Sequence, residues 1–213
     1  MAAPWENGCP ARMPDSRILK SPVRALNTEE VVASLITDQA AIEVTGQLGG
    51  LLSDSVRPFK PDAIIGRPTL GVSLAPLVAH RLGHSKVARL FLDPNQMPLL
   101  HGKKAMIVDD AASSGTTLGT SWNFLAGLGC GIVGCGVVVR QGGRWQGVLG
   151  EERARKVVLV FECPLLRRVE GGWDVRKRSD VRLGVGSQSR EGVQLESVGW
   201  PQLTRAFQQR ISV

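Results

Sequence analysis

Two adjacent carboxylates followed by a run of hydroxyls form the part of this chain best equipped for chemistry. Residues 105–117 read Ala-Met-Ile-Val-Asp-Asp-Ala-Ala-Ser-Ser-Gly-Thr-Thr. Residues 105–108 make an apolar strand, and Asp109 and Asp110 stand where it ends. In an open parallel sheet, ligands bind beyond the carboxyl ends of the strands. Neighbouring Asp side chains at such an end can hold two sugar hydroxyls, or the waters of a Mg²⁺ ion beside them. Ser113, Ser114, Gly115, Thr116 and Thr117 are small enough for backbone N–H groups to crowd a phosphate. The helix expected from about Leu118 adds its positive N-terminal end. The combination asks for a ligand carrying a ribose and a phosphate on one skeleton. An ordinary N-capping turn, with Ser113 or Ser114 as cap, needs one acid and one hydroxyl. Two acids and four hydroxyls within the nine residues 109–117 exceed that need. No Lys follows the glycine and the acids precede the loop, so this is not a nucleoside-triphosphate P-loop.

Such a loop works only if a scaffold holds it, and the rest of the chain reads as one. Pro61 and Asp62 open a short buried strand over residues 63–65. It ends at Gly66-Arg67-Pro68-Thr69-Leu70-Gly71, on the rim where the Asp pair lies. An apolar helix follows over about 72–82, a strand over 86–92, and a Pro-punctuated loop over 93–102. After the Asp motif come a helix at 118–128 and strands at 132–139 and 157–161. Strand, loop and helix repeated in this way define an α/β fold, an open and mainly parallel sheet with helices on both faces. The spacing of Val31, Val32, Leu35, Ile36, Ala40, Ile42 and Leu48 predicts one or two helices over 28–52, with Asn27 or Thr28 as N-cap. The expected organisation is an irregular N-terminal arm (1–26), one domain (27–176) with a small variable hood, and a weakly ordered basic tail (177–213). A short helix is expected within that tail over 201–210.

Composition narrows the class. At 213 residues the chain suits a single α/β domain with an appendage. No apolar run approaches the length of a membrane span. The first twenty residues, with Glu6, Asp15 and three prolines, do not resemble a secretory signal, so the expected compartment is the cytoplasm. Cys9, Cys130, Cys135 and Cys163 lack metal-ligand or redox spacing. His80 and His84 are four apart, but no third ligand lies near them. Lys and Arg number 26 against 19 acids, a net charge of +7 gathered beyond Asp110. Such a surplus can attract RNA. No aromatic platform accompanies it, and Tyr is absent, so a solvated face is favoured and nucleic acid is not the expected partner.

The stretch from Met106 to Thr117 resembles the phosphoribosyl-pyrophosphate (PRPP) motif of type I phosphoribosyltransferases, with strand, acid pair, spacer and hydroxyl loop in order. The resemblance extends over roughly 61–161. It implies transfer of ribose 5-phosphate from PRPP to a nitrogenous base, with release of pyrophosphate and with Mg²⁺ as cofactor. It also implies roles: Asp109 and Asp110 on the ribose hydroxyls or, indirectly, on the metal; Ser113, Ser114, Gly115, Thr116 and Thr117 on the 5-phosphate. Arg67, Pro68, Thr69 and Gly71 would form the pyrophosphate loop, with Arg67 suited to paired phosphate oxygens. Hypoxanthine and guanine transferases carry an acid where this chain has Ser113, so an adenine-like, purine-using member is the favoured reading. Phe161 or Trp173 is a candidate to stack on the base. Family members are commonly homodimers. The residues at 93–101 are fewer than the family's usual mobile lid, which keeps two alternatives open: a non-catalytic PRPP or nucleotide sensor, and an RNA-associated regulator.

Overall fold

The computed structural model describes residues 8–14, 16–25, 30–33, 37, 40–85, 87–89 and 100–175. Most of the expected lid loop, residues 93–99, and the tail at 177–213 lie outside the described residues, as does the N-cap expected at Asn27 or Thr28.

The centre is a parallel sheet. In chain order its strands are β4 (Ala63–Gly66), β5 (Ala88–Arg89), β6 (Lys104–Ala112), β7 (Gly131–Gln141) and β8 (Val157–Cys163), arranged β5-β4-β6-β7-β8. Their apolar runs follow from burial on both faces. Met106 and Val108 face one side, and Ala105 and Ile107 the other, as the pleat requires. On the first side lie α1 (Ile42–Val56) and α2 (Gly71–Arg81), contributing Leu48, Leu52, Val56, Leu74 and Val78. On the second lie α3 (Thr116–Gly127) and α4 (Arg144–Leu149), contributing Leu118, Trp122, Leu125, Trp145 and Leu149. A one-turn helix, α5 (Glu151–Ala154), leads into β8. The α/β fold expected from the sequence, with helices on both faces, is therefore the one observed.

A second sheet departs from expectation. β1 (Gly8–Arg12), β2 (Ile18–Ala25) and β3 (Glu30–Ala33) occupy the region read as an irregular arm and the start of a helix. Beyond β8 come two strands that the sequence did not predict, β9 (Leu165–Val169) and β10 (Gly172–Val175). The five form an antiparallel sheet in the order β1-β2-β3-β9-β10. Its strands interleave apolar with polar residues and so form no continuous apolar run, and β3 pairs with a strand far along the chain. The sheet is not detached, since Cys9, Ala11, Met13 and Leu166 are buried in the cluster shared with α1 and α2. Of the one or two helices expected over 28–52, the described residues give a helix from Ile42 and a strand at Glu30–Ala33.

Candidate active site

The carboxyl ends of β4 and β6 carry the candidate residues, and their register brings the two loops together. Ile65 is level with Ile107 and Gly66 with Val108. Continuing that register sets Arg67 beside Asp109, and the Arg67 N–H donates to the Val108 carbonyl at 2.9 Å. The Arg67 guanidinium is ion-paired through Nη1 with Asp109 Oδ2. Asp109 Oδ1 accepts the backbone N–H of Asp110 at 3.0 Å. Asp109 is completely buried, whereas Asp110 is half-buried. Among the described residues, no cation pairs with Asp110. Burial pushes the Asp109 carboxyl up and the adjacent Asp110 charge adds to it. Arg67 pulls the other way, and the balance lies at about 8.

Two glycines let the backbone close around this point. A Cβ on Gly71 would stand 2.3 Å from the Val108 carbonyl oxygen and 2.9 Å from Asp109 Cα, so only glycine lets the start of α2 touch the end of β6. Gly115 has φ +82°, and a Cβ there would stand 2.6 Å from Trp145 Cα. It occupies the N-cap of α3, where no side chain caps the helix. The Thr116 N–H approaches Ser114 Oγ at 3.4 Å, and the first turn closes through Gly119 N–H to the Gly115 carbonyl at 2.9 Å. The helix start is thus left with backbone donors and positive potential for an anion.

In front of it lies a cavity of about 90 Å³, lined by Arg67, Ala111, Ala112, Ser113, Ser114, Gly115, Thr117 and Leu118. Four of the five residues expected around a phosphate therefore share one wall, and Thr116 is exposed outside it. Of the expected pyrophosphate loop, Arg67 lines this same cavity, while Pro68, Thr69 and Gly71 do not. Pro68 is half-buried and Thr69 exposed, and the peptide between them is cis.

Three residues were not singled out from the sequence. Thr37 Oγ1 donates to the Leu70 carbonyl at 3.0 Å, and Ser73 Oγ donates to that carbonyl at 2.8 Å, so both tie down the end of the Gly66–Gly71 turn. Arg140, one residue before the end of β7 and level with Ala112, ion-pairs with Glu162 of β8 and lies 5.9 Å from the Trp145 ring centre. A charge closing the apolar run Gly136-Val137-Val138-Val139 was the available signal for Arg140; Thr37 and Ser73 offered none. Phe161 is buried in the core, and Trp173 packs half-buried against the same cluster with Arg168 5.9 Å from its ring centre.

A parallel sheet with helices on both faces, an acid pair near the carboxyl end of its middle strand and a hydroxyl-lined cavity at a helix N-terminus give the layout of an α/β enzyme with an anion-suited site. The family model for the phosphoribosyl transferase domain matches residues 34–154, more than half of the chain. The chain belongs to this family and is an enzyme of PRPP-dependent phosphoribosyl transfer. Among solved structures, orotate phosphoribosyltransferase of Mycobacterium tuberculosis H37Rv in complex with inorganic phosphate is similar over 74% of this chain and 88% of that one, at 14% identity and TM-score 0.50. A phosphoribosyltransferase from Corynebacterium diphtheriae is similar over 62% of this chain and 82% of that one, at 19% identity and TM-score 0.49. Adenine phosphoribosyltransferase from Rhodothermus marinus gives 58% and 81%, at 17% identity and TM-score 0.48. A sequence comparison with curated proteins gave no match. Among the described residues no helix is long and apolar enough to cross a membrane.

Proposed function

We propose that this enzyme transfers ribose 5-phosphate from PRPP to a purine base of the adenine type, releasing pyrophosphate, in the cytoplasm. The observation that carries the PRPP part is the cavity of about 90 Å³ at the start of α3, lined by Ser113, Ser114, Gly115 and Thr117. Its size suits one phosphate group, and its donors are hydroxyls and helix N–H groups. The 5-phosphate sits there, so the sugar extends along the carboxyl end of β6 toward Asp110. That carboxylate receives the ribose hydroxyls, with Asp109 directly behind it. The turn from Gly66 through Pro68, Thr69 and Gly71 lies on the pyrophosphate side and offers its backbone. The neutral Ser113 supports an adenine-type base over hypoxanthine or guanine.

The donor set also fits Mg²⁺. Among the described residues no three carboxylate, thiol or imidazole groups gather into a closed metal site. Mg²⁺ in phosphate chemistry is characteristically held by one or two carboxylates, waters and the substrate phosphates. Asp110 supplies the carboxylate, through water or the ribose. Bound there, the ion neutralises charge on the departing diphosphate. The protein's own contribution is rigid placement of the sugar phosphate, so that the ribose carbon losing pyrophosphate meets the base nitrogen without a search.

The test is calorimetry with PRPP and Mg²⁺, followed by pyrophosphate release across a panel of purines, orotate and other bases. Release with adenine supports the full reading. Release with orotate replaces the base and keeps the PRPP site. Binding with no release on any base makes the protein a PRPP sensor. Absence of binding overturns the site.

A further inference from the structure

We infer that Asp109 is a positioning residue that acts through Arg67, and that the Arg67 side chain serves the 5-phosphate rather than the pyrophosphate. The inference rests on the PRPP reading above and divides the acid pair into two unequal members.

Asp109 has no exposed surface to offer a ribose hydroxyl or a hydrated ion. Both of its oxygens are engaged inside the protein, Oδ2 by Arg67 Nη1 and Oδ1 by the Asp110 backbone N–H. A carboxyl spent in this way cannot bind substrate in the same state, but it fixes the orientation of the group it holds. That group is a guanidinium, whose N–H donors form a rigid planar fork. With one arm of the fork anchored, the direction of the others is set.

Arg67 lines the cavity together with Ser113, Ser114, Gly115 and Thr117. Its side chain is 19% exposed, and its Nε is buried without a hydrogen-bond partner. Buried donors are nearly always paired, and the guanidinium that carries this one belongs to a residue lining a polar cavity, so it calls for an acceptor. A phosphate oxygen supplies it. The parallel register makes the arrangement a property of the sheet rather than of a loose loop, because Arg67 follows directly on the Gly66–Val108 pair. Asp110, half-buried beside this unit, is left as the acid that faces the sugar.

The experiment compares ribose 5-phosphate and Mg²⁺-pyrophosphate as separate calorimetric probes of the full-length wild type, Arg67→Ala, Asp109→Asn and the double variant. Each single change is expected to weaken ribose 5-phosphate binding by about tenfold or more, the loss of a charge-assisted phosphate contact. The double variant should bind it no more weakly than Arg67→Ala alone, because Asp109 has nothing left to position. Pyrophosphate affinity should stay nearly constant throughout, which a general collapse of the site would not allow. Should Asp109→Asn fail to fold, Arg67→Lys and Asp109→Glu give the same cycle with both charges kept. Loss of pyrophosphate binding with ribose 5-phosphate binding intact would return Arg67 to the leaving group and overturn the inference. Additive losses in the double variant would overturn the role of Asp109. A wild type that binds PRPP while Arg67→Ala binds ribose 5-phosphate unimpaired removes this inference alone. A wild type that binds neither removes the PRPP reading beneath it.

Discussion

At the scale of single residues, the site depends on conformations that few side chains can adopt. Gly115 combines φ +82° with a neighbour 2.6 Å from where its Cβ would stand. Gly115→Val therefore forces a β-branched residue into the left-handed region and against the Trp145 backbone. The expected cost is about 2–4 kcal/mol of stability, read by thermal or urea unfolding, with loss of PRPP binding by calorimetry. Normal PRPP affinity in that variant would show that the Ser113–Thr117 loop does not cradle the phosphate. Asp109 gives a prediction with a sign. Its carboxyl keeps its proton to about 8 when folded, whereas an unfolded Asp releases it near 4. Between those values the folded chain holds the extra proton. The stability this group supports is complete below about 4 and drains at up to about 1.4 kcal/mol per pH unit as pH rises toward 8. Asp109→Asn should flatten that part of the stability–pH curve, measured by urea unfolding across the range. An unchanged slope would mean that the carboxyl is ionised throughout.

At the scale of elements, the turn leading into α2 is held by Thr37 and Ser73 from outside and by the fit of Gly71 against β6 from below. Gly71→Ala pushes a methyl carbon into the Val108 carbonyl, so α2 has to move off the strand. We expect a loss of about 2–3 kcal/mol and a clear fall in PRPP affinity, followed by thermal unfolding and calorimetry. Thr37→Val removes one hydroxyl and keeps the volume, and its expected cost is about 1 kcal/mol. Strands β4, β6, β7 and β8 were legible in the sequence because burial on both faces makes them continuous apolar runs, as in Met106-Ile107-Val108, and α2 and α3 were expected between them, whereas the short helices α4 and α5 were not. The start of α3 was placed two residues late, at Leu118, because Thr116 and Thr117 read as loop hydroxyls. The second sheet was not legible. Ile18-Leu19-Lys20-Ser21-Pro22-Val23 carries a proline and mixed polarity, and β3 finds its partner only at β9. The candidate site residues were named from the acid pair, the hydroxyl run and the Gly66–Gly71 loop, with roles implied by the resemblance. That Arg67 and Asp109 hold each other follows from the β4–β6 register, which no local window contains.

At the scale of the molecule, all four cysteines are free and buried, distributed over both faces of the central sheet. Burial pushes each thiol up, Cys163 to about 12 and Cys135 further. A thiol reagent should therefore count close to none in the native protein at pH 8 and four after denaturation. Rapid labelling of the native chain would contradict the packing described for β1, β7 and β8.

The antiparallel sheet joins the two sides of the central sheet in sequence: β3 precedes it, β9 follows it, and the two are hydrogen-bonded neighbours. During synthesis, β1 to β3 leave the ribosome long before Leu165 is made. Until then β3 presents an unpaired edge of backbone donors and acceptors to every other chain nearby. A ribosome stalled anywhere before β9 therefore releases a fragment with an open template for intermolecular pairing, even where the parallel sheet is already complete. A strand that contributes nothing to the cavity is thus what closes the β3 edge in the finished chain.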